Sequence, residues 1–333
     1  MRLLLVCLPL LVACARPNGS TPAPATPERP VPLIFDTDAN NELDDQHALA
    51  YLLLNETAFN VKAITTNATR NGGNIEEHTA EAARIMTLFG VRDRYPLLDG
   101  ANQDFATIQP YVNDDFGFDG ERAVNRIIEE ARKDHGQPLV LVPVGKLTNI
   151  ALALAKAPDI AERVRIVWLG SNYPAPGEYN QDNDPRALNF ILDTEAPFEI
   201  VTVRYGEPTG SDAVRIDSAE VARLLAGQGR QVATPITGRH GGRFDRFGDY
   251  AVDLFDHVEA YHGDPPSRAM FDMVTLAMLK NPAWGERRSV PAPTLRDGQW
   301  VERPDNPRRI VLWENFDEAA ILSDFFALLN AYR

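Results

Sequence analysis

The sequence predicts an α/β fold: a single domain whose central, mostly parallel, Rossmann-like sheet is flanked by helices. Short continuous apolar runs bounded by turn residues recur along the chain, the pattern of strands buried on both faces. Segments with apolar residues at helical spacing alternate with those runs. The chain is 44% hydrophobic and 24% charged, which supplies one large core over the ~300 residues that follow residue 30. No second linker or internal repeat interrupts them.

The first 30 residues are read apart from the fold. Arg2, the apolar run Leu3 to Val12 and the small-residue close Leu11-Val12-Ala13-Cys14 make residues 1–13 a targeting segment. The pattern resembles a bacterial lipoprotein signal, with an ordinary cleaved signal as the alternative. On the lipoprotein reading Cys14 becomes the lipidated N-terminus, and Cys7, the other of the two cysteines, leaves with the signal. The mature chain then has no thiol for a disulfide or a catalytic nucleophile. The expected location is the bacterial cell envelope, periplasm or outer membrane. The apolar run is too short to span a bilayer, so the lipid is the expected membrane link. Residues 14–30, rich in Pro, Thr and Ala, form a tether, and the folded domain is residues 31–333.

That domain opens on the stretch around which the rest is arranged. Val31 to Phe35 reads as a buried strand, and it runs straight into Asp36, Asp38, Asp44 and Asp45. Leu43 to Leu54 carries apolar residues at helical spacing, so the acids occupy a strand-to-helix connection. Carboxylates held so close share protons or hold a hard cation, because unpaired anions at the rim of a core are costly. Solvated surface and helix capping are the plain alternatives, but capping accounts for one or two acids, not four. A phosphotransferase loop also begins Asp-x-Asp, yet continues Gly-Thr where this chain has Ala39-Asn40. The cation loop is the preferred reading.

Further along, Val61 to Thr65 reads as a strand, Ile75 to Phe89 as a helix ended by Gly90, Leu139 to Val144 and Val164 to Leu169 as buried strands, and Leu147 to Ala155 as the helix between them. In such a sheet, ligands bind at the carboxyl ends of the strands. The loops 36–45, 66–74, 145–149 and 170–180 follow these strands and are expected to converge. They carry Asn67, Asn74, Thr148, Asn149, Asn172 and Asn180, any one of which is more often turn chemistry than ligand contact. Together, amides and carboxylates suit a neutral polyhydroxylated ligand better than phosphate. Asp272, an acid inside the apolar helical run 269–274, needs a partner, either a salt bridge or a metal. The net charge of −14 and pI near 4.9 exclude nucleic acid and anionic lipid as partners. A homo-oligomer is compatible with the sequence.

These residues resemble the inosine-uridine-preferring nucleoside hydrolases. The features that carry the likeness are Asp36-Thr37-Asp38 with Asp44-Asp45, Thr65-Thr66 with Gly73-Asn74, Gly145-Lys146-Leu147-Thr148-Asn149-Ile150-Ala151, and the isolated Asp272. The resemblance implies that Asp38, Asp45, Asp272 and the Thr148 carbonyl hold a Ca²⁺ ion. It implies that Asp44, Asn74 and Asn189 bind ribose hydroxyls and that Asp38 is the general base. Asn180 belongs with the substrate contacts, and Phe271 is placed to stack on a base. Ca²⁺ takes six to eight oxygen ligands, which leaves room for water and two vicinal hydroxyls.

Three departures from the family pattern stand out. Five residues, not three, separate Asp38 from Asp44; Ala187-Leu188-Asn189 stands where Glu-Phe-Asn is expected, losing a carboxylate; and Phe271 replaces a His. Leaving-group activation is therefore unassigned, with His240, Arg243, Tyr250, His257, Tyr261 and His262 as candidate donors, any one of the histidines being more often a solvated surface residue. The expected function is Ca²⁺-dependent hydrolysis of the N-glycosidic bond of a nucleoside or related riboside. The alternatives are a non-catalytic, metal-containing sugar- or glycan-binding envelope protein and a hydrolase of another glycosidic substrate.

Overall fold

The computed structural model describes residues 20–21 and 27–333. Cys14, the leader and most of the tether lie outside these residues. Among the described residues no helix is long and apolar enough to cross a membrane.

Val31–Thr37 is the pivot of a nine-stranded sheet. It lies between Phe59–Thr66 and Leu139–Pro143 and pairs parallel with both. Beyond Leu139–Pro143 come Val164–Leu169, Phe198–Val201 and Arg309–Glu314, all parallel. Glu286–Pro291 then adds antiparallel, with Ser20–Thr21 outside it. On the other flank, Leu97–Leu98 closes the sheet. The antiparallel edge was not legible in the sequence, but the parallel body is as expected.

Successive side chains of a strand face opposite ways, and the two cores divide accordingly. Leu33, Phe35, Val140, Val142, Val167 and Leu169 enter one cluster. Ile34, Leu139, Leu141, Ile166 and Trp168 enter the other, with helix Thr148–Lys156. Both faces being covered explains why these strands read as unbroken apolar runs. The pivot strand runs two residues past its apolar stretch because Asp36 and Thr37 keep pairing with Thr65 and Thr66.

Helix Leu43–Leu54 starts directly at the acids and is buried along almost all of its length. The helices Phe271–Lys280, Ile75–Leu88 and Phe247–Asp256 pack against it. This brings Asp272, more than two hundred residues away in sequence, to the N-terminal end of the helix that carries Asp44 and Asp45.

Candidate active site

The carboxyl ends of the strands surround one cavity of about 480 Å³, with Asp38, Asp44, Asp45 and Asp272 in its wall. These acids are 1%, 6%, 2% and 3% exposed, so water does little to screen them. Carboxylate oxygens of Asp44, Asp45 and Asp272 lie within 4.8 Å of one another. Burial raises the pKa of Asp38, pushes Asp44 up to about 7, and holds Asp45 and Asp272 well above the usual carboxylate range. For the last three, repulsion from neighbouring acids adds to burial. An all-oxygen, anionic, buried donor set fits a hard divalent cation, whose charge would remove the cost of holding these groups ionised.

Each acid is oriented by the loops beside it. The Thr69 hydroxyl donates to Asp38 Oδ2 at 2.6 Å, and the Thr37 hydroxyl donates to Asp45 Oδ1 at 2.5 Å. A Cβ on Gly145 would stand 2.5 Å from Asp38 Oδ1, so the glycine is what lets the 145–149 loop approach that acid. Asp36 does not join the group. It is fully buried and accepts hydrogen bonds from Thr65, Asn67 and Asn149, with burial pushing its pKa up to about 7. Asn149 therefore braces the sheet end with both ends of its amide, whereas Asn67 spends only its Nδ2 on Asp36 and its buried Oδ1 has no partner.

The lengthened acid loop is tied down at three points. Asn40 Nδ2 donates to the Gly72 carbonyl at 2.7 Å, Arg239 Nη1 donates to the Asn40 carbonyl at 2.9 Å, and Glu42 pairs with Arg268. The two extra residues thus become ties to segments far along the chain.

The cavity is also lined by Glu178, Asn180, Tyr205, His262 and Phe271. Phe271 meets Tyr205 edge-on, with ring centroids 5.8 Å apart at 88°. Glu178 accepts from the backbone N–H groups of Ser171, Asn180 and Gln181, and burial pushes its pKa up to about 7. Asn180 Nδ2 donates to the carbonyl of Val144 at 2.7 Å.

Three of the sequence expectations change. Asn74 is exposed and does not line the cavity; its side chain accepts from Glu77 N in a capping box at the start of helix Ile75–Leu88. Asn189 is likewise absent from the wall, because its amide serves the Leu295 and Thr294 segment. The tripeptide at the cavity is instead Glu178-Tyr179-Asn180, so the carboxylate expected to be lost is present. Thr148 is buried, its hydroxyl donates to Asp184 Oδ2 at 2.5 Å, and it is not a lining residue.

Of the six candidate donors, His262 alone lines the cavity. The Tyr250 hydroxyl donates to Glu81 at 2.6 Å, and the Tyr261 hydroxyl to the Phe255 carbonyl at 2.9 Å. His240 and His257 stack on each other elsewhere. Tyr205, Arg215 and Arg268 were not singled out from the sequence, though the apolar run Phe198–Val201 that precedes Tyr205 was a signal that its loop would reach the same crevice.

A parallel sheet whose strand ends cup a buried carboxylate cluster, an amide and two aromatic rings is the framework of a sugar-processing hydrolase. The chain matches the model of the inosine-uridine preferring nucleoside hydrolases over residues 33–321 and belongs to that family. It is accordingly an enzyme that hydrolyses N-glycosyl bonds. It is 27% identical over 277 residues to the pyrimidine-specific ribonucleoside hydrolase RihA of Shewanella woodyi, covering 75% of this chain and 80% of that one. The corresponding protein of Photobacterium profundum is 26% identical over 280 residues, with 75% and 80% covered. Among solved structures, a plant nucleoside hydrolase superposes with a TM-score of 0.68 at 19% identity, covering 91% of this chain and 99% of that chain. A purine-preferring ribonucleoside hydrolase from Gardnerella vaginalis does so at 0.68 and 21%, covering 90% and 98%.

Proposed function

We propose that the protein hydrolyses the N-glycosidic bond of free ribonucleosides and that Ca²⁺ is its cofactor. The observation that carries this reading is the buried group Asp44, Asp45 and Asp272 beside Asp38, in a cavity of about 480 Å³, inside the ~300–1,000 Å³ range of small-molecule sites. Asp38, Asp45 and Asp272 would hold the ion, with Asp44 beside them. Bound there, such a cation supplies positive charge that acidifies water and receives hydroxyl oxygens.

The chain's own groups do the rest. Asp38, fixed by Thr69, takes a proton from the attacking water. Asp44 and Asn180 hold ribose hydroxyls. The anionic wall stabilises the oxocarbenium-like charge that develops on the sugar, and no covalent intermediate is needed. Phe271 and Tyr205 present aromatic faces to the base, and His262 is the group at the wall able to protonate it.

The named relatives differ in base, pyrimidine-specific in one case and purine-preferring in another, so the test is a panel of purine and pyrimidine nucleosides with and without chelator. The expected result is turnover that chelator abolishes and Ca²⁺ restores. Binding of Ca²⁺ and ribose with no nucleoside cleaved would hand the site to the sugar-binding alternative.

We also propose that Cys14 bears a lipid that holds the enzyme to the cell envelope. The support is the pattern Leu11-Val12-Ala13-Cys14. Cys14→Ser should yield unprocessed or soluble protein; retention on membranes with the same cleavage site would remove this proposal.

A further inference from the structure

Outside the cavity, a second group of ligating side chains comes together from two elements. His240 sits at the turn of the hairpin formed by Ile236–Gly238 and Gly241–Phe244, while Asp253 and His257 lie at the end of helix Phe247–Asp256. Their ligating atoms fall within 4.8 Å of one another. We propose that His240, Asp253 and His257 form a second metal site, distinct from the carboxylate cluster, for a borderline transition-metal ion such as Zn²⁺.

Four observations support this assignment. Asp253 and His257 are spaced i, i+4, which sets both side chains on one face of the helix. The His257 Nδ1 lies 2.8 Å from the Asp253 carbonyl; a proton donated there leaves Nε2 with the lone pair that a metal takes. The rings of His240 and His257 stack at 4.3 Å and 23°, a contact that two imidazolium ions would oppose. Finally, Asp253 Oδ2 is shielded from solvent and has no hydrogen-bond partner, and it stands 3.7 Å from Nδ1 of His240. A buried oxygen without a donor is a group for which a ligand is expected.

The donor chemistry separates the two sites. Two imidazoles and a carboxylate suit Zn²⁺ and its neighbours and leave a fourth position for water, whereas the oxygen-only cluster at Asp44, Asp45 and Asp272 suits a hard ion. The hairpin site also stands apart from the reacting groups. Its link to them is Arg239, whose Nη1 donates to the Asn40 carbonyl at 2.9 Å and whose Nε stands 3.3 Å from His240 Nε2, a contact that a metal on His240 Nδ1 would replace, because Nε2 would then carry the proton.

The test is calorimetric titration of the Ca²⁺-saturated, full folded domain with Zn²⁺, followed by Co²⁺ as a spectroscopic probe. The expected result is one Zn²⁺ per chain in the presence of excess Ca²⁺, and Co²⁺ absorption of a low-symmetry nitrogen and oxygen site. His257→Ala and His240→Ala should each weaken Zn²⁺ binding by at least the ~10–100-fold that loss of even an outer-shell partner costs. Both side chains are largely at the surface, and unchanged Ca²⁺ uptake by the variants shows that the fold is intact. No Zn²⁺ uptake in excess Ca²⁺, or uptake indifferent to both substitutions, overturns the proposal.

Discussion

The two walls of the cavity are built in opposite ways. On the acid wall, Asp38 follows the pivot strand, Asp44 and Asp45 lie in the first turn of helix Leu43–Leu54, and Asp272 lies in the first turn of a helix packed on it, all of them buried. On the leaving-group side, Tyr205 and His262 come from two separate segments and are exposed, whereas Phe271 directly precedes Asp272 on the same helix. Carboxylates that must sit within a few ångströms need a stiff scaffold, because displacement by an ångström changes which oxygens a cation meets. A wall that meets a flat base through aromatic faces tolerates looser construction and freer substitution.

The acid wall should break with the largest effects. Asp38→Asn keeps an oxygen and nearly the same volume but removes the basicity, so nucleoside cleavage should fall by about 10²–10⁴-fold. Turnover numbers at saturating substrate, measured at fixed Ca²⁺, check it. A loss below tenfold would move the base elsewhere.

Asp272→Asn tests the electrostatics of the same wall. Burial first, and repulsion from Asp44, Asp45 and Asp38 next, make an ionised Asp272 costly without a cation. Removing that charge should raise the melting temperature of the chelated protein while abolishing the response to Ca²⁺. In the wild type, Ca²⁺ at a hundred times its Kd should add about 2.7 kcal/mol, or roughly 5 °C for a domain of this size. If the variant keeps the wild-type Ca²⁺ response, Asp272 is not a ligand.

How much of this was legible in the sequence follows from the same contrast. The acids were readable because capping accounts for only one or two of the four in the strand-to-helix connection, although Asp36 is held by Thr65, Asn67 and Asn149 at the sheet end. The body of the sheet was readable because strands such as Val164–Leu169 are covered on both faces. Asn74 and Asn189 were misplaced because an amide at a loop can cap a helix or brace a backbone as readily as bind a sugar, and spacing cannot distinguish these uses. The Glu178-Tyr179-Asn180 segment shows the same ambiguity in reverse. Arg268 lies on a stretch of no marked pattern, and only packing brings it to the crevice.

A smaller effect is expected where the backbone supports the acid wall. Gly145→Ala would place a Cβ 2.5 Å from Asp38 Oδ1 and 2.8 Å from Asn67 Oδ1, so Asp38 must shift. Positioning errors of this kind cost up to about 10²-fold in rate. The expected outcome is a drop in turnover larger than the accompanying loss of stability, which a Cβ at the buried Gly145 must also bring. Equal loss of stability and rate would mean that the loop itself has moved.

The smallest effect belongs to the leaving-group wall, where Phe271→Ala sharpens the comparison. Loss of an aromatic pair is worth about 0.5–1.5 kcal/mol, so kcat/KM for nucleosides should fall roughly 2- to 10-fold. The informative control is a p-nitrophenyl riboside, whose leaving group departs as a stable anion and needs little protonation. Its ring can still stack on Phe271. If Phe271 acts by stacking beside Tyr205, both substrates should slow by similar factors. If it acts instead by holding His262 in position to protonate the base, natural nucleosides should slow while the nitrophenyl riboside is spared. Similar factors for the two substrates, together with a pH profile unchanged in shape, would assign stacking to Phe271 and leave proton donation to His262.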